Sequence, residues 1–137
     1  SEADLWAFSR KRDVLNEPFL LSLHKRMFGK VWTWAGALRT TERNIGVAAY
    51  RISTELRTTL DDTRYWIEHE TFPPDEIAVR FHHRLVWVHP FPNGNGRHAR
   101  LAADLLAVAL GRPRFSWGRT SLVEAASTRA QYVAALK

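Results

Sequence analysis

The sequence contains no cysteine. That excludes a disulfide scaffold, thiolate metal centres and a cysteine nucleophile, so any metal must be held by oxygen or imidazole. Long hydrophobic runs are also missing. The apolar stretch from Leu101 to Leu110 is interrupted by Asp104 and falls far short of the roughly 20 residues of a membrane span. The start, Ser1-Glu2-Ala3-Asp4-Leu5-Trp6, lacks the basic opening and apolar core of a signal peptide, so the expectation is a cytoplasmic chain with no membrane partner. Acidic residues are in deficit, with 14 Asp and Glu against 20 Lys and Arg, a net charge of +6. Such a balance suits an anionic partner (nucleic acid, nucleotide or acidic protein) without choosing among them.

What is present fits one domain. A chain of 137 residues with 45% hydrophobic side chains can bury a single core, and no repeat, linker or low-complexity tract divides it. The expected architecture is mostly α. Leu5, Trp6, Phe8, Val14 and Leu15 have loose helical spacing; a clearer helix is capped by Asn16, admits Pro18 in its first turn, carries Leu20, Leu23 and Met27 on one face and stops at Gly29. From Trp32 to Tyr50 the helical period lapses, and Arg39 to Ala48 reads as a small β-hairpin flap. Three helices follow. Ser53 is placed as the cap of the first, with Leu56, Leu60 and Ile67 inward. Pro73-Pro74 opens the second, with Ile77, Phe81, Leu85 and Val88 inward. The third begins at Gly94 to Gly96, buries Leu101, Leu105 and Val108 and ends at Gly111. A last helix is expected after the capping box Ser121 to Glu124, with Ala126, Val133 and Leu136 on one face. The six tryptophans read as packing residues.

One stretch exceeds what a short interhelical loop needs: His89-Pro90-Phe91-Pro92-Asn93-Gly94-Asn95-Gly96-Arg97-His98-Ala99-Arg100. Glycines let backbone N–H groups approach a phosphate, and the helix beginning there adds the positive end of its dipole. Arg97 and Arg100, three residues apart on the first turns, can both reach one polyphosphate through bidentate guanidinium contacts. The bland alternative for Arg100 is an ion pair with Asp104. His89, fixed between Val88 and Pro90 with Phe91 as an anchor, is the best general-base candidate. His24, His69 and His98 read as structural histidines.

At these residues the chain resembles the Fic family, whose signature runs H-P-F-x-D/E-G-N-G-R-x-x-R; here it reads HPFPNGNGRHAR. The likeness covers about residues 18–110, with the motif at 89–100, in a single domain. More narrowly, WAGALRTTERNIGV and FHHRLVWVHPFPNGNGRHARL are similar to Fic proteins found beside a helix-turn-helix partner, the group called mobile mystery protein B. The resemblance implies a helical bundle with a hairpin flap and a protein adenylyltransferase, moving AMP from ATP to a Ser, Thr or Tyr hydroxyl of a target protein. It implies that His89 takes the hydroxyl proton and that Gly94, Asn95, Gly96, Arg97 and Arg100 hold the phosphates. It also implies that the flap Thr41, Glu42, Arg43, Asn44, Ile45, Gly46 and Val47 docks the target segment by strand pairing.

Asn93 departs from the family, which has an acidic Mg²⁺ ligand there; an amide oxygen is a weaker ligand for a hard cation. ATP and Mg²⁺ are the expected substrate and cofactor. The family's inhibitory pattern, Ser/Thr-x-x-x-Glu-Gly/Asn, has no full match: Thr120 to Glu124 comes nearest, but Ala125 follows. An inhibitor is therefore expected on a partner, an antitoxin or helix-turn-helix protein, or in a segment before Ser1. Two alternatives stand beside this reading. One is a catalytically impaired or phosphate-transferring Fic/Doc module of a toxin and antitoxin pair. The other is a metal-dependent nuclease using His82, His83, His89, Asn93 and Asn95, although His82 and His83 would splay by about 100° on a helix. Nucleic acid is the less favoured partner.

Overall fold

A computed structural model describes residues 2–43 and 45–116. The N-terminal apolar residues do not make one long helix. Helix α1 (Glu2–Phe8) ends where Ser9 Oγ and Arg12 Nη2 both donate to the Trp6 carbonyl, at 2.7 and 2.9 Å, with the Arg12 guanidinium 4.0 Å above the Trp6 ring. Val14 and Leu15 reach the core from the irregular link that follows.

Helix α2 (Glu17–Phe28) starts as its sequence dictates. Asn16 Oδ1 accepts the Phe19 N–H at 2.7 Å, and Pro18 occupies a first-turn position whose N–H needs no partner. Leu20 and Leu23 are buried, Met27 packs at the core edge, and the Gly29 N–H closes the helix on the Lys25 carbonyl at 2.7 Å.

Helix α3 (Ile52–Glu68) is entered through a 3-10 turn, Ala49–Arg51, so Arg51 takes the cap position and Ser53 lies inside the helix, not at its cap. Leu56 and Leu60 are buried, and Ile67 packs on the core in part. Helix α4 (Pro74–Val88) begins at the Pro73-Pro74 pair and buries Ile77, Phe81, Leu85 and Val88.

Helix α5 (Asn95–Ala109) is the central element. It packs against α4 most extensively and also touches α1 and α2, while α3 lies on α4. Residues 101–107 are all buried, so small side chains, Ala102, Ala103 and Ala107, alternate with leucines to let neighbouring helices approach. The helix emerges from the core beyond Ala107, which leaves Val108 44% exposed instead of inward. Gly111, at φ 82°, turns the chain away.

The mostly helical expectation holds, but the hairpin does not: no strand occurs among the described residues. Arg39 is the physical reason. Its buried guanidinium takes up the carbonyls of Thr41 and Val47, which a hairpin ladder would have used. The N–H groups of Arg39 and Val47 go instead to the carbonyls of Pro90 (2.9 Å) and Val88 (3.4 Å). The helix expected after Ser121, Trp117 and the Thr120 to Glu124 stretch lie outside the described residues.

Candidate active site

His89 caps α4 in the left-handed region, at φ 54° and ψ 61°, with its N–H on the Leu85 carbonyl at 3.1 Å. A non-glycine residue adopts that conformation rarely and at a cost, so the surroundings must impose it. They do so from two sides.

On one side the loop is anchored in the core. Phe91 is buried and stacks on the His24 ring, centroids 3.8 Å apart and 15° between planes, with His98 edge-on at 4.9 Å. His24 Nδ1 accepts the Gly36 N–H at 2.9 Å, which makes Nε2 the protonated nitrogen and the donor to the Asn93 carbonyl at 3.0 Å. His98 Nε2 meets the Leu20 carbonyl at 2.9 Å. Burial lowers the pKa of both, that of His98 to about 3, so they are neutral struts joining α2, the loop and α5. Asn95 adds a second clasp. Its Oδ1 accepts the Phe91 N–H at 2.9 Å and its Nδ2 donates to the Phe91 carbonyl at 2.8 Å.

On the other side Arg39 holds the flap segment to the loop. Its Nε donates to the His89 carbonyl at 2.6 Å and its Nη2 to the Val88 carbonyl at 3.3 Å. Gly46, at φ 93°, lies against His89 so closely that a Cβ there would stand 2.5 Å from the His89 Cβ. Burial first, then the charges of Arg39 and Arg43, keep the His89 imidazole below its ordinary pKa. A neutral imidazole at neutral pH can accept a proton.

The phosphate candidates lie where α5 begins. Gly94 is the cap, at φ 80°, and a Cβ there would come within 2.6 Å of the Phe28 ring, so only glycine fits. No side chain caps the helix, and the first main-chain donor to close it is His98, onto the Gly94 carbonyl at 3.0 Å. The N–H groups of Asn95, Gly96 and Arg97 therefore have no partner within the helix, an arrangement that can receive an anion. The Arg97 guanidinium lies 5.3 Å over the Phe28 ring. Arg100 folds back, its Nη1 3.7 Å from where a Gly96 Cβ would stand. Both arginines line a cavity of about 560 Å³ between α1, α2 and α5, which also collects Arg26, Lys30 and Arg114 and the acids Glu2, Asp4 and Asp104. Asp104 accepts the Phe115 N–H at 2.9 Å and an Arg114 contact at 3.3 Å.

The structure thus brings His89, Gly94, Asn95, Gly96, Arg97 and Arg100 onto one loop and helix start. Asn95 contributes its backbone only, since its side chain is spent on Phe91. Of the docking candidates, Thr41, Glu42, Arg43, Ile45 and Gly46 are exposed and Val47 is buried; Asn44 lies outside the described residues. Glu42 is partly committed, its Oε1 accepting the Ala49 N–H at 2.9 Å. Asn93 is exposed, its Oδ1 on the Gly94 N–H at 2.8 Å. Among the described residues no three His, Asp or Glu side chains cluster to hold a metal ion. His82 and His83 lie on α4, and burial pushes His82 down to about 4. Arg39 is the positioning residue that sequence reading passed over, because its role needs carbonyls from two distant segments.

Protein adenylyltransferase fic-1 of Caenorhabditis elegans is 32% identical over 136 residues, covering 93% of this chain and 25% of its own length. Protein adenylyltransferase Fic of Nematostella vectensis is 29% identical over 108 residues, covering 76% and 25%. The chain therefore spans about a quarter of the length of these curated relatives. Among solved structures, Fic-1 from C. elegans superposes with a TM-score of 0.66 at 32% identity, covering 88% of this chain and 34% of that one. A Fic domain containing signaling protein from Bacteroides thetaiotaomicron shares the fold, with a TM-score of 0.69 at 21% identity, covering 83% and 46%. No helix among the described residues is long and apolar enough to cross a membrane. A Fic/DOC family model matches residues 14–107, and on that match, these relatives and the loop just described, the chain belongs to the Fic/DOC family.

Proposed function

We propose that this chain is the transfer domain of a protein adenylyltransferase, which uses ATP to place AMP on a hydroxyl of a target protein. The observation that carries the reading is the juxtaposition of a neutral imidazole and an uncapped helix start on one clamped loop. The names of the relatives support a transferase of this kind.

In this mechanism His89 takes the proton of the target Ser, Thr or Tyr hydroxyl as that oxygen forms its bond to the α-phosphorus. Pyrophosphate leaves as the phosphoanhydride bond breaks. The N–H groups of Asn95, Gly96 and Arg97, with the guanidinium groups of Arg97 and Arg100, stabilise charge on the phosphates, since phosphoryl chemistry depends on positioning and electrostatics more than on covalent help. Mg²⁺ arriving on the nucleotide would screen that charge, with Asn93 Oδ1 an exposed side-chain oxygen beside the helix start. The exposed Thr41, Glu42, Arg43, Ile45 and Gly46 dock the target segment beside His89.

Intact-mass analysis of candidate targets incubated with ATP and Mg²⁺ tests the reading: a +AMP adduct is expected, and it disappears with His89→Ala. No adduct and no nucleotide binding would overturn it. Asn93 favours a second reading, transfer of phosphate instead of AMP, which the same spectra separate by the mass of the adduct.

A further inference from the structure

Two Asn-Gly dipeptides occur in the loop, Asn93-Gly94 and Asn95-Gly96, and the fold treats them in opposite ways. The Asn93 side chain is exposed and turns back on its own successor, its Oδ1 2.8 Å from the Gly94 nitrogen. A carbonyl carbon lies about 1.2 Å from its oxygen, which places the Gly94 nitrogen no more than about 4 Å from the Asn93 Cγ. Gly94 has no side chain to shield that approach, and its φ of 80° is one that only glycine takes freely. The nitrogen sits at the positive end of α5, where a developing negative charge is favoured. Asn95 is the reverse case. It is 5% exposed, both ends of its amide are bonded to the Phe91 backbone, and Gly96 is already inside the helix.

We propose that Asn93 is a site of spontaneous deamidation built into this loop, and that Asn95 is protected from the same reaction. The Gly94 N–H first leaves Asn93 Oδ1; its proton then passes to solvent base and the nitrogen forms a bond to the Asn93 Cγ. The Cγ–Nδ2 bond breaks, and Nδ2 leaves as ammonia with a proton from water. Water then opens the cyclic imide, giving an aspartyl or isoaspartyl residue in place of the asparagine. The carboxylate that results stands one residue before the cap of α5, where the helix end stabilises it. It also sets a negative charge beside the phosphate cradle, so anion binding there comes to require a divalent cation.

Trypsin makes the test direct, because cleavage after Arg84 and Arg97 leaves both asparagines in one peptide, LVWVHPFPNGNGR. The folded chain is held for days in mildly alkaline buffer beside a sample in concentrated urea, and fragment spectra locate the single-dalton gain. In the folded sample Asn93, which is exposed, is expected to convert roughly tenfold or more faster than Asn95, whose amide must first give up burial and two hydrogen bonds, and in urea the two rates converge. Equal rates in the folded chain, or faster conversion of Asn95 than of Asn93 there, would overturn the proposal. Asn93→Gln, which lengthens the side chain by one carbon, is expected to suppress conversion at that position. Calorimetric titration of Asn93→Asp with ATP, with and without Mg²⁺, reads the cation requirement. That arm rests on the nucleotide reading, whereas the mass map does not, so the two can fail separately.

Discussion

His89 and Asn95 stand six residues apart, one the proposed general base and the other consumed in holding the loop's shape. Replacing His89 by Ala should lower target labelling about a hundred- to ten-thousand-fold while leaving ATP affinity within a factor of a few, the pattern of a lost general base. Because its pKa is held below the ordinary imidazole value, the acidic limb of the pH–rate profile should lie below about pH 6.5. Arg43→Gln removes one of the cations responsible, so the His89 pKa rises and that limb moves to higher pH; a limb that stays in place would remove Arg43 from the account. Asn95→Ala strands the Phe91 N–H and carbonyl, and should cost about 1–3 kcal/mol in urea unfolding as well as weakening ATP binding. The motif residues were legible in the sequence because their chemistry is local. The use of the Asn95 side chain was not, since nothing in the order Asn93-Gly94-Asn95-Gly96 says which amide turns inward.

The flap is the element whose reading changed most. Gly and Asn signals near residues 44–46 point to a hairpin, yet the segment is tied to the end of α4 and the loop by Arg39, so its carbonyls have no ladder to join. Arg39→Ala should destabilise the chain by more than about 3 kcal/mol, since it leaves several carbonyls without a donor. Arg39→Lys should recover only part, because one ammonium cannot span the same carbonyls. Gly46→Ala meets His89 and an unfavourable φ together, so labelling should fall with little change in ATP affinity. Helices were easier to read, because Asn16, Pro18, the Pro73-Pro74 pair and Gly111 act within one turn of the boundary they set. Ser53 misled because a 3-10 turn, which leaves no pattern in the side chains, moved the true start of α3 ahead of it.

At the scale of the whole molecule, four partly or fully buried histidines link stability to pH. His24, His82, His89 and His98 all have folded pKa values below the unfolded value of 6.5, with His82 at about 4 and His98 at about 3. The unfolded chain therefore binds more protons than the folded one in the window below 6.5. Stability is complete above that value and declines as pH falls toward the folded values, by up to about 1.4 kcal/mol per pH unit for each histidine. Urea midpoints measured from neutral pH downward should fall accordingly, and the slope should flatten in His82→Gln; midpoints that stay level would count against neutral buried imidazoles. His24 also links the loop to two half-buried indoles. Its ring lies 6.5 Å from Trp32 and 6.0 Å from Trp34, and the two indoles stack at 4.6 Å. Since the same ring grips the Asn93 carbonyl, a nucleotide that tugs on the loop would alter the polarity felt by both indoles. Tryptophan emission should therefore shift as ATP is added, a readout that needs no label, and unchanged emission would cut the tie from the loop to the indoles.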